Sequence, residues 1–289
     1  MNVLGISRAA IYSPHSEDRD ARVFSGLAAE LQQRGHHVRT LTEDAFSADE
    51  AGLGSMDAVF TMGRHRSVAI QLQTWKEMGV TVINDPHGLL ALNRRGIYKA
   101  CRELGIGVAP QLSRQDLEED NSSPVFPCWL KRDDGCAQQA DDVCFVPDEP
   151  ALRQQLARFA ERGVQQYVMS AHLRGDLIKF YGVADTPFFF VNAAKTTGGF
   201  SKFGLEQYND AYGGYAFDTV RWQQQMNRLA NRLQIDVYGG DAVVDETGAC
   251  RLIDFNDWPS FSCCLDDAVS AIADILEQRG QFRKDKNRI

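Results

Sequence analysis

Short apolar runs alternate with amphipathic stretches through residues 1–88, and few architectures accept that order. Asn2–Ile6, His37–Leu41, Asp57–Met62 and Val80–Asn84 read as strands. Arg22–Arg34 and Val68–Met78 carry apolar residues at helical spacing, and the first closes at Gly35. Strands separated by helices pair in parallel, because a parallel neighbour needs a crossover connection. The expected class is therefore α/β, with a small N-terminal doubly wound parallel sheet. No Gly-x-Gly-x-x-Gly follows a strand here, so the dinucleotide fingerprint is absent.

Beyond residue 88 the pattern changes. Leu89–Leu104 reads as one helix closed by Gly105, and Gln111–Ser123 as an exposed acidic connector. Strands are expected at Cys128–Lys131, Val143–Val146, Gln165–Ala171, Leu177–Val183 and Phe188–Ala193, with a helix at Pro150–Ala160. A tight turn at Arg174-Gly175-Asp176 separates the third and fourth of these strands. Gly198–Gly214 holds five glycines among polar and aromatic residues, the composition of a functional loop. A helix at Asp218–Leu233, a hairpin of Asp241–Asp245 with Arg251–Phe255, and a helix at Asp266–Gln278 complete the chain. The expected division is 1–88, 89–165 and 166–289.

Composition excludes several functions. No apolar run approaches the roughly 18 residues of a membrane span, and the N-terminus MNVLGISRAA lacks the features of a signal peptide. A net charge of −8 argues against nucleic acid as a partner. None of the seven cysteines forms Cys-x-x-Cys, so reduced thiols and a cytoplasmic setting are expected. Only 8 of the 31 basic residues are Lys, and three of those stand within or at the ends of apolar segments: Lys131, Lys179 and Lys195. Each alone suits an edge residue extending to water; together, in a Lys-poor chain, they suit phosphate oxygens.

The most informative segment is Gly239–Phe261, GGDAVVDETGACRLIDFNDWPSF. Asp254 and Asn256 are two apart on one strand and share a face, and a short turn brings Asp241 toward them. Two carboxylates and an amide oxygen are hard ligands suited to Mg²⁺ beside phosphates. Spacing alone equally allows polar residues that face solvent or cap the next turn.

From Ile83 to Phe261, about 60% of the chain, the motifs resemble the ATP-grasp superfamily of carboxylate–amine ligases. VINDPHGLLALNRRGIYKACRELGIGVAP is similar to its entry segment, with Arg94 standing near the position of a triphosphate-binding Lys. WLKRDDGC resembles the strand whose Lys meets the α- and β-phosphates, which implies that role for Lys131. VQQYVMS resembles the hinge strand that holds adenine through its backbone, implying Gln166, Tyr167 and Val168. GDLIKFYGV implies Asp176 and Lys179 for nucleotide and phosphates, and Lys179 with Lys195 as catalytic cations. The closing Gly-x-Asp…Asp-x-Asn-x-x-Pro pattern implies that Asp241, Asp254 and Asn256 hold two Mg²⁺ ions, Mn²⁺ being an acceptable substitute. The resemblance thus implies a small N-terminal domain before a two-lobed fold, with ATP, a carboxylate and an amine (small molecules or peptides) as substrates. A homodimer is compatible with it. A small-molecule kinase, with Arg64, His65 and Arg66 lining a basic pocket, or a silent nucleotide-binding protein remain alternatives.

Overall fold

The structure is a computed structural model that describes residues 1–13, 16–46, 55–119, 122–133, 139–193, 208 and 210–286. Three four-stranded sheets follow one another along the chain. The first contains β1 (Asn2–Ser7), β2 (His37–Thr42), β3 (Ala58–Thr61) and β4 (Thr81–Ile83) in the order β2-β1-β3-β4, all parallel. Helices α1 (Glu17–Gln33) and α2 (Arg66–Glu77) make the crossovers β1–β2 and β3–β4. The α/β expectation for this unit is met.

The stretch expected as one helix at Leu89–Leu104 is two, α3 (Pro86–Ala91) and α4 (Arg94–Leu104). Each has its own cap: Asp85 accepts from the His87 N–H, and Asn93 accepts from the Gly96 N–H at 2.8 Å. The expected connector at 111–123 also proves structured, as β5 (Gln111–Ser113) and α5 (Arg114–Glu119). Asp116 closes the intervening turn by accepting from both the N–H and the hydroxyl of Ser113. Local capping explains both differences.

The middle sheet has the order β5-β8-β6-β7, with β6 (Cys128–Arg132), β7 (Val143–Val146) and β8 (Tyr167–Ala171), all antiparallel. Alternation sends Cys128, Leu130, Cys144, Val146 and Met169 to a core under α6 (Glu149–Glu161). Trp129 and Lys131 take the opposite face. β8 lies inside this sheet, and the chain passes to the third sheet after Ala171. The expected turn at Arg174–Asp176 therefore joins two sheets.

The third sheet has the order β10-β9-β11-β12, with β9 (Asp176–Val183), β10 (Phe189–Ala193), β11 (Val237–Val244) and β12 (Cys250–Asp257). One face packs on α4 and α7 (Thr219–Leu233) through Phe180, Trp222, Met226, Tyr238 and Phe255. Gly240 permits this packing, because a Cβ there would stand 2.7 Å from the Phe180 ring. Part of the other face packs on α8 (Leu265–Lys286), which also covers the first sheet, so Val3, Phe60, Tyr181, Trp258 and Ile272 share one core. The Asn84 side chain ties the two sheets, donating to the Val237 carbonyl at 3.0 Å and accepting from its N–H at 2.7 Å. Among the described residues no helix is long and apolar enough to cross a membrane.

Candidate active site

The uncovered part of the third sheet carries a row of polar side chains. Asn192, Lys179, Asp241 and Asp254 are successive cross-strand partners on β10, β9, β11 and β12. Lys179 Nζ donates to Asp241 Oδ1 at 2.8 Å. Burial pulls the Lys179 ammonium down, but Asp241 outweighs it and the net shift is upward. Asn256, two residues beyond Asp254, stands in the next row of the same face, with its amide 3.4 Å from Asp254 Oδ2.

A β-bulge aims this row. The register passes from Asp241↔Asp254 to Ala242↔Leu252, leaving Ile253 as the extra residue. Leu252 and Phe255 can then both point to the core, while Asp254 and Asn256 point away. The Ile253 carbonyl accepts from Lys131 Nζ at 2.9 Å, which brings the cleft face of the middle sheet against β12. Lys131 is almost wholly buried; burial, with the Arg94 charge, lowers its pKa to about 8.

Arg94 closes the cluster from the first turn of α4. Its guanidinium donates to Asp254 Oδ1 at 2.5 Å and to the Arg132 carbonyl at 3.0 Å. Asp133 Oδ1 accepts from the Arg94 N–H at 2.6 Å, fixing the helix start against β6. Burial pushes the Asp254 carboxyl up, but the Arg94 and Lys131 charges, with hydrogen bonds from Arg94 and Asn256, bring it below the usual range. Three cations thus interleave with two carboxylates along one cleft. That arrangement carries one net positive charge and favours the ionised form of Asp254.

Most of the expected site residues therefore meet: Arg94, Lys131, Lys179, Asp241, Asp254 and Asn256. Lys195 lies outside the described residues, as do the Asp134–Gln138 segment after Lys131, Phe200 and Phe203. Asp176 does not join the cluster. It is buried, and its two oxygens accept from the Gly213 N–H at 2.6 Å and the Tyr215 N–H at 2.7 Å, pinning the end of the glycine-rich stretch. The backbone of Gln166, Tyr167 and Val168 is largely committed: the Gln166 carbonyl accepts from Asp133 N–H, and β8 is flanked by β5 and β6. Past β8 the His172 N–H still donates to the Pro127 carbonyl at 3.1 Å, and the chain then crosses between sheets. Among the described residues no three His, Cys, Asp or Glu side chains converge, so the donor set is two carboxylates and an amide.

One cluster had no clear sequence signal. Trp129 shares the cleft face with Lys131, and its indole N–H meets His172 Nδ1 at 3.1 Å. Tyr208 stacks on Phe145 at 4.2 Å between ring centroids and meets Trp129 edge-on. The i, i+2 spacing of Trp129 and Lys131 was the available hint. Of the other aromatics in the glycine-rich stretch, Tyr212 and Tyr215 are exposed.

No family model matches this sequence, and no curated protein matches it either. Solved structures do match, over nearly the whole chain. An ATP-grasp RimK domain protein from Sphaerobacter thermophilus aligns with a TM-score of 0.63 at 16% identity, covering 95% of this chain and 99% of that one. D-alanine–D-alanine ligase from Bacillus anthracis gives 0.68 at 14% identity, with 99% of each chain covered. The same enzyme complexed with ATP gives 0.69 at 13% identity, again covering 99% of each chain. The chain shares the fold of these solved structures.

Proposed function

We propose that this chain is an ATP- and Mg²⁺-dependent ligase that joins a carboxylate to an amine. The observation that carries the reading is the row Lys179–Asp241–Asp254 with Asn256, Lys131 and Arg94 around it, in a fold shared with D-alanine–D-alanine ligase. The donor set fits a hard divalent ion: both carboxylate side chains are about a quarter exposed, and the opposed charges hold Asp254 ionised. Asp241, Asp254 and Asn256 would hold Mg²⁺, which when bound neutralises phosphate charge.

Lys179 and Arg94 already donate to these acids and would exchange them for phosphate oxygens, with the Lys131 ammonium beside them. A substrate carboxylate oxygen then attacks the γ-phosphorus as the bond to ADP breaks, giving an acylphosphate. The amine attacks its carbonyl carbon, phosphate leaves, and the amide forms with loss of a proton. The protein's part is to position groups and screen charge, as phosphoryl transfer requires. Lys179 lies between the two chemistries and suits the developing oxyanion of the second step.

Calorimetric titration with ATP, with and without Mg²⁺, tests the reading. Saturable binding that requires the metal is expected; no binding at millimolar nucleotide would overturn it. Products separate ligase from kinase. Free phosphate with a new amide marks the first, and a phosphorylated product without free phosphate marks the second.

A further inference from the structure

A second polar site lies at the edge of the first sheet. Strand order reverses between β1 and β3, because their crossovers run to opposite sides, and open α/β sheets bind ligands in that crevice at the strands' carboxyl ends. Arg8 follows β1 there, and Gly63, Arg64 and His65 follow β3. Buried Glu43, just past β2, holds both loops: Oε1 accepts from the Ala9 N–H at 2.5 Å, and Oε2 accepts from the Arg64 and His65 N–H groups at 2.6 and 2.7 Å. Such a carboxylate spends itself on backbone and leaves the neighbouring cations rigidly placed.

Asp257 ties the crevice to the end of β12. Asp257, the residue after Asn256, reaches back to the Arg64 guanidinium at 2.7 Å and stands 3.9 Å from that of Arg8. Arg8 is buried and also pairs with Asp20 at 2.9 Å, whereas Arg64 is 21% exposed and His65, 40% exposed, stands 3.3 Å from the exposed Asp44 carboxylate. Buried Asp257 Oδ2 has no hydrogen-bond donor among the described residues. A deep guanidinium, a partly open one and an imidazole thus line the mouth, one residue along the chain from Asn256.

We propose that this crevice binds a second anionic group of the acid substrate, a carboxylate or a phosphate, through Arg64 with His65 at the mouth. The assignment rests on the ligase reading, which supplies the acid substrate whose other carboxylate would be phosphorylated. The planar guanidinium fork suits either anion. The substrate class is accordingly a dianionic acid.

The test is calorimetric titration of the full chain, without nucleotide, with succinate, glutarate, 3-phosphonopropionate and butyrate. At least one dianion is expected to bind about tenfold more tightly than butyrate. Whether the dicarboxylates or the phosphonate binds best identifies the second anion. Arg64→Gln is expected to abolish that preference while leaving Mg·ATP affinity within about twofold of the parent. Dianions that bind no better than butyrate would overturn the proposal, as would an Arg64→Gln variant that keeps the preference. So would a parallel loss of Mg·ATP affinity, which would mean that Arg64 only braces β12 through Asp257. If Arg64→Gln does not fold, Arg64→Lys keeps the charge without the fork and must lose most of the preference. A parent that binds dianions and not Mg·ATP would sink the ligase reading separately.

Discussion

The two faces of the third sheet come from the same strands and differ in almost everything else. On one, Phe180, Tyr238 and Phe255 lie buried beneath Trp222 and Met226. On the other, Lys179, Asp241, Asp254 and Asn256 stand one residue away along the same backbones, paired with each other and with Arg94. Pleating separates the two sets, and the Ile253 bulge keeps them separate where simple alternation would send Asp254 to the side of Leu252. The apolar face fixes where the strands lie; the polar face borrows that rigidity to hold charge. Substitutions on the two faces should therefore move different observables.

The largest effect is expected on the apolar face. Phe180→Ala removes a wholly buried ring that touches Trp222, Phe189 and Tyr238, and should cost about 3–5 kcal/mol. Urea unfolding would show this as a lower midpoint. A loss below about 1 kcal/mol would mean the faces are not divided as described. Next is Asp254→Asn, which is isosteric and leaves Arg94 and Lys131 facing an uncharged amide. Its stability change should be about 1 kcal/mol or less, because the acid is partly exposed and screened. Mg·ATP affinity should fall about 100-fold, or ~2.7 kcal/mol. Because the folded carboxyl is held below its ordinary pKa, its stabilising contribution is present above that ordinary value and fades as pH falls through the lowered one.

The same contrast explains what was legible in advance. Strong periodicity and exact two-residue spacing survive folding, so the parallel sheet, the hairpin and the Asp254/Asn256 pair could be read directly. Lys131 and Lys179 stood out because Lys is scarce. What was hidden depends on long-range partners. Asp176 looks like any strand-end acid until the Gly213 and Tyr215 N–H groups arrive from a distant stretch. The break at Asn93 was available in principle, as an N-cap three residues before Gly96, but the apolar period on either side masks it. Asp257 gave no signal, because its partners Arg8 and Arg64 lie on another sheet.

Lys131 sharpens the contrast from the middle sheet, since it reaches the polar face through a buried path. With its pKa lowered to about 8, it is largely neutral above that pH, and phosphate oxygens beside it should restore the proton. Titration with Mg·ATP at a pH about half a unit above 8, in buffers of different ionisation enthalpy, should show uptake of roughly 0.7 proton. Lys131→Met should abolish the uptake and weaken binding about tenfold. The free protein has the opposite dependence. Its unfolded state binds the extra proton between pH 8 and the ordinary lysine value, so the cost of burying this charge is full below pH 8 and is relieved as pH rises. Unchanged proton uptake in the variant would remove Lys131 from the phosphate site.

The smallest expected effect separates polarity from function. Tyr238 lies on the apolar face, buried against Phe255, and its hydroxyl donates to Asn227 Oδ1 at 2.5 Å. Tyr238→Phe keeps the ring and its stacking and removes one hydrogen bond, while Asn227 is exposed enough to turn to water. The cost should be about 1 kcal/mol, visible as a small shift in the urea midpoint. Mg·ATP affinity should not change. A polar group on the wrong side of the sheet would then be energetically real and functionally silent. If nucleotide affinity fell with stability, the two faces would be coupled through β11, and the rigidity assigned to the apolar side would itself be a variable of the site.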